Sequence, residues 1–397
     1  MDSKDINVVV GAGLSGAVIA NILATKFNED VLVVDKRGHV AGNVYDYLED
    51  GIYVSKYGVQ AFHTDDVTVW EYVQQFVDFN IYMHKRVAFV DGAEVTIPFN
   101  LNTIHSIFPE TLAQKLEKRL LTYFKYNQIV SIVDLQQTED ETLNFLAQYI
   151  YEKDSLSDFS KRAKAECGNI DGVCYTRVPI LRISVDNYFF KDMYQGMPHT
   201  GYSGMIKRML SHPNIQVQVS TDYKQLLNTT TGRFKRTFYT GSIDEFFDYQ
   251  LGVLPYQSRC FKFEKYYDRE FYQSNAVIEY PYNYDFLAIH EFKHYYKDST
   301  KYRKQHKFPK TIIAKEYKGS FSVSQSGECF GERSHPVVDD FSRNLYDKYV
   351  ELSKTQNDVY FLGRLGDFQP YSLDKIVSRA IDVADKLGLR NESSVAA

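Results

Sequence analysis

The 397-residue chain is predicted to have an α/β fold that opens with a Rossmann-like βαβ unit. Three observations support this: an apolar strand over residues 6–10, a glycine turn (Gly11, Gly13, Gly16) leading into an apolar-faced helix, and a second strand ending in Asp35. In such units the glycines allow a tight turn, a close approach of pyrophosphate to the backbone, and close packing of helix on strand. The helix N-terminus then faces an anion, and the acidic residue suits a ribose hydroxyl. The sequence therefore predicts a dinucleotide site; the alternative is a glycine-rich turn in a domain that binds no nucleotide.

The composition is that of an ordinary globular protein with room for two or three domains. With 44% hydrophobic residues, 24% charged residues and a net charge of -5, no nucleic-acid surface is expected. No apolar run reaches about 18 residues, and the first strand starts too early for a signal peptide, so we expect no membrane span and a cytoplasmic location. The cysteines form neither a CxxC pair nor a metal-ligand cluster, so no metal is expected (Cys167, Cys174, Cys260, Cys329).

The first half of the chain continues with a loop, a helix, a hairpin and a helical region. The glycine-containing loop after Asp35 is predicted to contact the cofactor, and the spacing of apolar residues predicts a helix over residues 66–79. A hairpin is expected to turn at Asp91 and Gly92. Apolar residues at spacings of three and four over residues 101–165 predict an inserted helical region.

The second half is predicted to form a sheet and then to return to the nucleotide domain. Short alternating aromatic segments between residues 235 and 330, beginning with RTFYTG, predict an antiparallel sheet. Residues 358–388 predict a buried strand, a turn in GRLGD and a helix capped near Ser372. Glycine-rich flavoproteins often return to their nucleotide domain this late, whereas nicotinamide enzymes rarely do. The dinucleotide is therefore expected to be FAD.

A series of sequence motifs along the chain resembles, in the same order, those of the FAD-dependent UDP-galactopyranose mutases. The motifs are GAGLSGAVIA, VVDKRGHVAGNVYD, YGVQAFHTDD, VAFVDGAEVTIPFNL, TRVPILRIS, YQGMPHTGYSGMIKRML, YTGSIDEFFDYQLGVLPYQS, IHEFKHY and FLGRLGDF. The resemblance implies three parts. They are a Rossmann-like FAD-binding domain (residues 1–80, 200–235 and 355–397), a helical bundle insertion (101–175), and a twisted antiparallel β-sheet domain for substrate (81–100, 176–199 and 236–354).

The resemblance also implies an activity. The family interconverts pyranose and furanose forms of a sugar nucleotide without net redox change, and N5 of the reduced flavin attacks the anomeric carbon. NAD(P)H is then the expected external reductant, a homodimer the expected assembly, and polysaccharide biosynthesis the expected pathway.

Site residues are carried over onto matching positions. The cofactor-binding residues implied are Gly11, Gly13, Leu14, Ser15, Gly16, Asp35, Lys36, Gly42, Asn43, His63, Arg364, Asp367, Ser372 and Leu373. The catalytic residues implied are His63, Arg177 and Arg182. The substrate-binding residues implied are Arg177, Arg182, Arg259 and Tyr371.

The motifs that the resemblance assigns to substrate binding depart from the family pattern. Residues that differ from the expected aromatic, arginine, histidine or tyrosine are Gln60, Ala163, Gln257, Ala288, Ser334, His335 and Pro370. A diphosphate needs charge-assisted donors, so these losses predict a reshaped pocket. The sequence leaves three interpretations open: a mutase acting on UDP-galactose or on another hexose or deoxyhexose nucleotide, a flavoenzyme with other sugar-nucleotide chemistry such as oxidation or elimination, and a non-catalytic FAD-binding homologue.

Overall fold

The computed structural model describes residues 6–153, 179–229, 234–281, 284–296, 309–319, 321–323 and 329–395. The chain divides into two compact units. The first unit comprises Met1–Ile81, Asp192–Arg259 and Gly319–Ala397, and the second comprises Tyr82–Lys191 and Cys260–Lys318. The three-part division given above stays a prediction.

The strands of the described residues are, in chain order, β1 (Asn7–Val10), β2 (Val31–Val34), β3 (Asp46–Glu49), β4 (Ile52–Ser55), β5 (Phe62–Thr64), β6 (Phe79–Ile81), β7 (Arg86–Val90), β8 (Ala93–Ile97), β9 (Phe99–Asn100), β10 (Ile129–Ser131), β11 (Ile180–Arg182), β12 (Tyr194–Pro198), β13 (Ile215–Gln218), β14 (Arg236–Tyr239), β15 (Tyr256–Tyr266), β16 (Val277–Glu279), β17 (Ala288–Glu291), β18 (Thr311–Gly319), β19 (Ser322–Val323), β20 (Cys329–Phe330), β21 (His335–Pro336) and β22 (Val359–Phe361).

The α-helices of the described residues are α1 (Leu14–Thr25), α2 (Val67–Gln74), α3 (Leu101–Ile107), α4 (Glu110–Tyr123), α5 (Ile132–Gln136), α6 (Glu141–Lys153), α7 (Gly201–Met209), α8 (Tyr223–Thr229), α9 (Ile243–Phe246), α10 (Asp340–Ser353), α11 (Gly363–Gly366) and α12 (Leu373–Val395). None of these helices is both long and apolar enough to span a bilayer.

The first unit is built on a five-stranded parallel sheet in the order β13, β2, β1, β14, β22. Its central strand β1 is an apolar run with Val8 and Val9 fully buried, as expected for a parallel strand covered on both faces. Helix α1 connects β1 to β2 and packs on α12. The predicted βαβ unit and Rossmann-like fold are confirmed.

One predicted strand belongs to a different sheet. The segment RTFYTG was expected in the antiparallel sheet, but its strand β14 runs parallel to β1, with Phe238 opposite Val9. That assignment is wrong because a short buried strand has the same apolar letters in either kind of sheet. The strand β22, expected to be buried, is half-buried at the edge of the parallel sheet.

The second unit combines a mixed sheet with helices α3 to α6. The hairpin β7 to β8 turns at Asp91 and Gly92, whose φ angles of 48° and 86° confirm the predicted turn. The predicted antiparallel pairing is confirmed between β16 and β17 and between β17 and β18, while β7 and β16 run parallel. Apolar residues of the helices and of β7 to β11 form one buried cluster.

Candidate nucleotide-binding site

A cavity of about 620 Å³ lies in the first unit. Its walls come from the segments that follow β1, β2, β13, β14 and β22, which are the carboxyl ends of the five parallel strands. Open α/β sheets bind ligands outside this edge, where the strand order reverses. A cavity of this size accommodates a large organic ligand.

The glycine turn after β1 forms one wall of the cavity. Gly11 has a φ of 108°, and a Cβ there would lie 2.1 Å from Oγ1 of Thr240. A Cβ at Gly16 would lie 1.8 Å from the carbonyl oxygen of Gly11, so only glycine lets α1 approach the turn. Gly13 precedes α1 in an extended conformation with no side-chain cap, which leaves the first backbone N–H groups of the helix available to an anion.

Asp35 is held at the end of β2, where it lines the cavity. Its Oδ2 accepts a hydrogen bond of 2.8 Å from the backbone N–H of Ala12, and its Oδ1 accepts one of 2.9 Å from the N–H of Arg37. These bonds fix the carboxylate between the two turns. Each carboxylate oxygen can accept a second bond, so the group can still receive ribose hydroxyls.

Another part of the wall is organised by Arg364 in α11. Its Nη2 donates to Oε1 of Gln60 at 3.1 Å and to the carbonyl oxygen of Tyr371 at 2.7 Å. Gln60, Arg364 and Leu373 line the cavity. The guanidinium therefore joins the segment that precedes β5 to the segment that precedes α12.

Asp367 does not line the cavity, but it stabilises the short helix α11 that contains Arg364. Its Oδ2 accepts from the N–H of Gly363 at 3.0 Å, and its Oδ1 lies 2.9 Å from Nη2 of Arg379. Burial raises the pKa of Asp367 in spite of the arginine. Asp367 therefore positions α11, whose Arg364 lines the cavity.

The predicted cofactor-binding residues divide into two groups by position. Those that line the cavity are Gly11, Gly13, Leu14, Ser15, Asp35, Lys36, Gly42, Asn43, Arg364 and Leu373. Those that lie outside its lining are Gly16, His63, Asp367 and Ser372. On β5, the Nδ1 atom of His63 is 3.1 Å from Oδ2 of Asp192, and the hydroxyl of Ser372 donates to Asp374. The assigned roles of these residues stay predictions.

The residues predicted to bind substrate lie in different parts of the chain. Arg182 is buried in the second unit, where its Nη1 and Nη2 donate to the carbonyl oxygens of Tyr188 and Phe189, both at 2.6 Å. Burial lowers the pKa of Arg182. Arg259 is half-buried at the end of the first unit's part of β15. Arg177, like Ala163, lies outside the described residues.

Sequence reasoning missed a charged group on the cavity wall. The carboxylate of Glu245 lies 2.7 Å from Nζ of Lys36 and also pairs with Arg333. Burial alone would raise the pKa of Glu245, but the two cations outweigh it and lower that pKa. No local sequence pattern points to Glu245, because its partners Lys36 and Arg333 lie on segments far from it along the chain.

These features fit the adenosine diphosphate part of a dinucleotide. The turn excludes side chains where a diphosphate must approach, the helix N-terminus offers unbonded N–H groups, and Asp35 offers acceptors at the end of β2. The parallel sheet and this site define a Rossmann-like nucleotide-binding protein. A family model described as an NAD(P)-binding Rossmann-like domain matches residues 9–76.

A second family model, that of UDP-galactopyranose mutase, matches residues 158–370. The chain belongs to the UDP-galactopyranose mutase family. It is 30% identical over 392 residues to a probable UDP-galactopyranose mutase of Klebsiella pneumoniae, covering 97% of this chain and 95% of the relative. It is also 30% identical over 389 residues to a dTDP-fucopyranose mutase of Escherichia coli, covering 95% and 97%.

Solved structures show the same fold at low sequence identity. A reduced UDP-galactopyranose mutase aligns with a TM-score of 0.62 and 15% identity, covering 97% of this chain and 94% of the other. A putative protoporphyrinogen oxidase from Exiguobacterium sp. 255-15 aligns with a TM-score of 0.60 and 12% identity, covering 98% and 100%.

Proposed function

We propose that this protein is a flavin-dependent mutase that interconverts the pyranose and furanose forms of a sugar nucleotide, with FAD as its cofactor. One observation carries the proposal: a chain of this family contains a glycine-walled cavity at the carboxyl ends of its parallel strands, with Asp35 at the end of β2. The site supports dinucleotide binding, and family membership supports the reaction class.

Each part of the cavity has a proposed role toward FAD. Asp35 accepts the ribose hydroxyls, and the N-terminus of α1 at Gly13 binds the diphosphate. Arg364 and Leu373 hold the ring end of the cofactor. Bound reduced flavin supplies the nucleophile for displacement at the anomeric carbon, so the reaction needs no net redox change.

The protein residues are proposed to orient the substrate and to bind its diphosphate. His63 is oriented by the carboxylate of Asp192, 3.1 Å from its Nδ1. Arg182 contributes its positive charge, and its enclosed Nε–H has no acceptor among the described residues. Arg177, Arg259 and Tyr371 are the other proposed partners of the diphosphate.

The sugar is proposed to be a galactose-like hexose or a deoxyhexose. The two relatives at 30% identity are named for UDP-galactopyranose and dTDP-fucopyranose, which differ in both base and sugar. The motifs assigned to the substrate pocket contain Gln257, Ser334 and His335 at positions where the resemblance predicts arginine or tyrosine. We further propose NAD(P)H as the reductant, a homodimer as the assembly, and a cytoplasmic role in polysaccharide biosynthesis.

The test is the visible spectrum of the purified protein, oxidised and dithionite-reduced, titrated with UDP-galactose, dTDP-fucose, UDP and dTDP. We expect a flavin spectrum, a change in the reduced spectrum with one of the sugar nucleotides, and a furanose product by chromatography. Oxygen consumption or stoichiometric flavin reduction by the sugar nucleotide would instead indicate oxidation chemistry. A flavin spectrum that no sugar nucleotide perturbs would indicate a non-catalytic homologue.

A further inference from the structure

The segment Gly331–Arg333 forms a wall of the cavity, although it lies far along the chain from the glycine turn. Its Glu332 pairs with Arg37, and the carbonyl oxygen of Arg333 accepts a hydrogen bond of 3.0 Å from Nδ2 of Asn43. The segment is therefore fastened at two points to the loop that follows β2. This position puts it beside the part of the cavity that contains the glycine turn and Asp35, because Gly42 of that loop lies so close to Gly13 that a Cβ on Gly42 would be 3.0 Å from Cα of Gly13.

The side chain of Arg333 is held rigidly although it lines a cavity. The residue is only 7% exposed. Its Nη1 pairs with Glu245, its Nη2 donates to the hydroxyl of Tyr249 at 2.9 Å, and the ring of Phe321 lies 4.3 Å from its guanidinium carbon. An ordered guanidinium of this kind loses little conformational freedom when it binds a ligand.

The hydrogen-bonding capacity of Arg333 is not used up by these contacts. A guanidinium has five N–H donors. Among the described residues, Nη1 of Arg333 has Glu245 as its partner and Nη2 has Tyr249, which leaves a second N–H on each, and the enclosed Nε has no acceptor. A buried charged group with unsatisfied donors is costly unless a partner arrives. The arrangement therefore indicates a site that is completed by an anionic ligand.

Two cations share one carboxylate on this wall of the cavity. The carboxylate of Glu245 pairs with both Lys36 and Arg333, and all three residues line the cavity, while Asp244 adds a second negative charge near Arg333. Asp244 and Glu245 together raise the pKa of Arg333 against the effect of burial, so it stays charged. The nearby N-terminus of α1 adds a partial positive charge.

We propose that Arg333 binds a phosphate oxygen of the diphosphate in a nucleotide held in this cavity. This inference rests on the proposed function, which supplies two sources of that chemistry: FAD and the sugar nucleotide. Arginine suits the role because its planar fork matches phosphate oxygens, and the pairing with Glu245 and Tyr249 sets the direction of the fork.

The test compares Arg333→Met with the wild type in the full-length chain, stripped of bound nucleotide. Equilibrium dialysis measures the affinity for FAD, ADP, riboflavin, UDP and dTDP. A contact with the cofactor's diphosphate predicts that FAD and ADP bind about tenfold more weakly or worse, while riboflavin, which has no phosphate, binds as before. A contact with the substrate's diphosphate predicts unchanged FAD affinity and a similar loss for UDP or dTDP.

Two further variants keep the test decisive. Arg333→Lys retains the charge without the fork and should show a smaller loss of the same ligands, which covers the case in which Arg333→Met does not fold. Arg269→Met removes an exposed arginine of the second unit and should change no affinity.

Equal affinities in wild type and Arg333 variants would overturn the inference, as would an equal loss for riboflavin. ADP and UDP binding needs no flavin, so a protein that binds these but no flavin contradicts the proposed function and still tests Arg333.

Discussion

At Gly13 and Gly16 the same substitution, glycine to alanine, meets two different environments. A Cβ at Gly13 would make an ordinary contact of 3.7 Å with Cα of Gly42, whereas a Cβ at Gly16 would lie 1.8 Å from the carbonyl oxygen of Gly11. We expect Gly16→Ala to cost about 2 kcal/mol or more of the free energy of unfolding, because backbone must move. Gly13→Ala should cost less, about 0.5 to 1 kcal/mol, because alanine is a poorer helix N-cap than glycine but no backbone has to move.

For nucleotide affinity we expect the opposite order from stability, with Gly13→Ala affected more directly than Gly16→Ala. The Gly13 methyl would enter the space that a diphosphate needs, so we expect Gly13→Ala to lose about tenfold or more in FAD affinity while its thermal unfolding stays near that of the wild type. Calorimetry and dialysis on both variants separate the two effects. A Gly13→Ala protein that binds FAD normally would mean that the diphosphate does not approach this backbone.

At the scale of elements, Glu29 joins the amino ends of two parallel strands. Its Oε2 accepts from Nδ2 of Asn7 at 2.8 Å and lies 2.8 Å from Nη1 of Arg236, while Nζ of Lys235 is 2.7 Å from Oε1. Burial would raise the pKa of Glu29, but these partners outweigh it and lower that pKa. The carboxylate therefore stabilises the fold above the unfolded-state pKa, and the contribution is lost as the pH falls through the lowered folded-state value.

We expect Glu29→Gln to reduce the free energy of unfolding by about 1 to 2 kcal/mol near pH 7. The difference from the wild type should shrink as the pH falls below about 4.3, the ordinary glutamate pKa. Urea titrations between pH 3 and pH 7 measure this, and Glu71→Gln, at an exposed position of α2, is the matched control. A difference that stays constant with pH would show that the ionised carboxylate is not the source.

The same elements show how far the sequence predicts the structure. The βαβ unit and the hairpin at Asp91 and Gly92 follow from local patterns, because turn chemistry and periodicity specify them. The helix α2 was predicted too, but it ends at Gln74, and Phe79 at the end of the predicted range begins β6. The strand β14 does not follow from a local pattern, since its partner β1 is more than two hundred residues away and its letters fit either kind of sheet. Arg333 was missed for a similar reason: its contacts with Glu245 and Asn43 join segments that no local pattern relates.

At the scale of the whole molecule, each unit contains a buried apolar cluster made of its own residues. One apolar cluster lies entirely within the second unit and includes Leu116, Leu146 and Ile183. Another lies entirely within the first unit and includes Leu254, Tyr349 and Phe368. The described residues that line the cavity all belong to the first unit. Among the described residues, a ligand in the cavity is therefore held by elements of the first unit.

Hydrogen exchange should reveal this asymmetry. A ligand present at a hundred times its Kd stabilises the state that binds it by about 2.7 kcal/mol, which slows exchange from every amide whose opening releases the ligand. We therefore expect FAD to protect β1, β2, β14 and α1 strongly, and α3 to α6 little, in a comparison of the protein with and without the cofactor by mass spectrometry. Equal protection of α4 or α6 would mean that the second unit opens only together with the first. If FAD protected neither the elements around the glycine turn nor the helices α3 to α6, the flavin would bind outside this cavity. Its release would then not depend on the opening of the glycine turn.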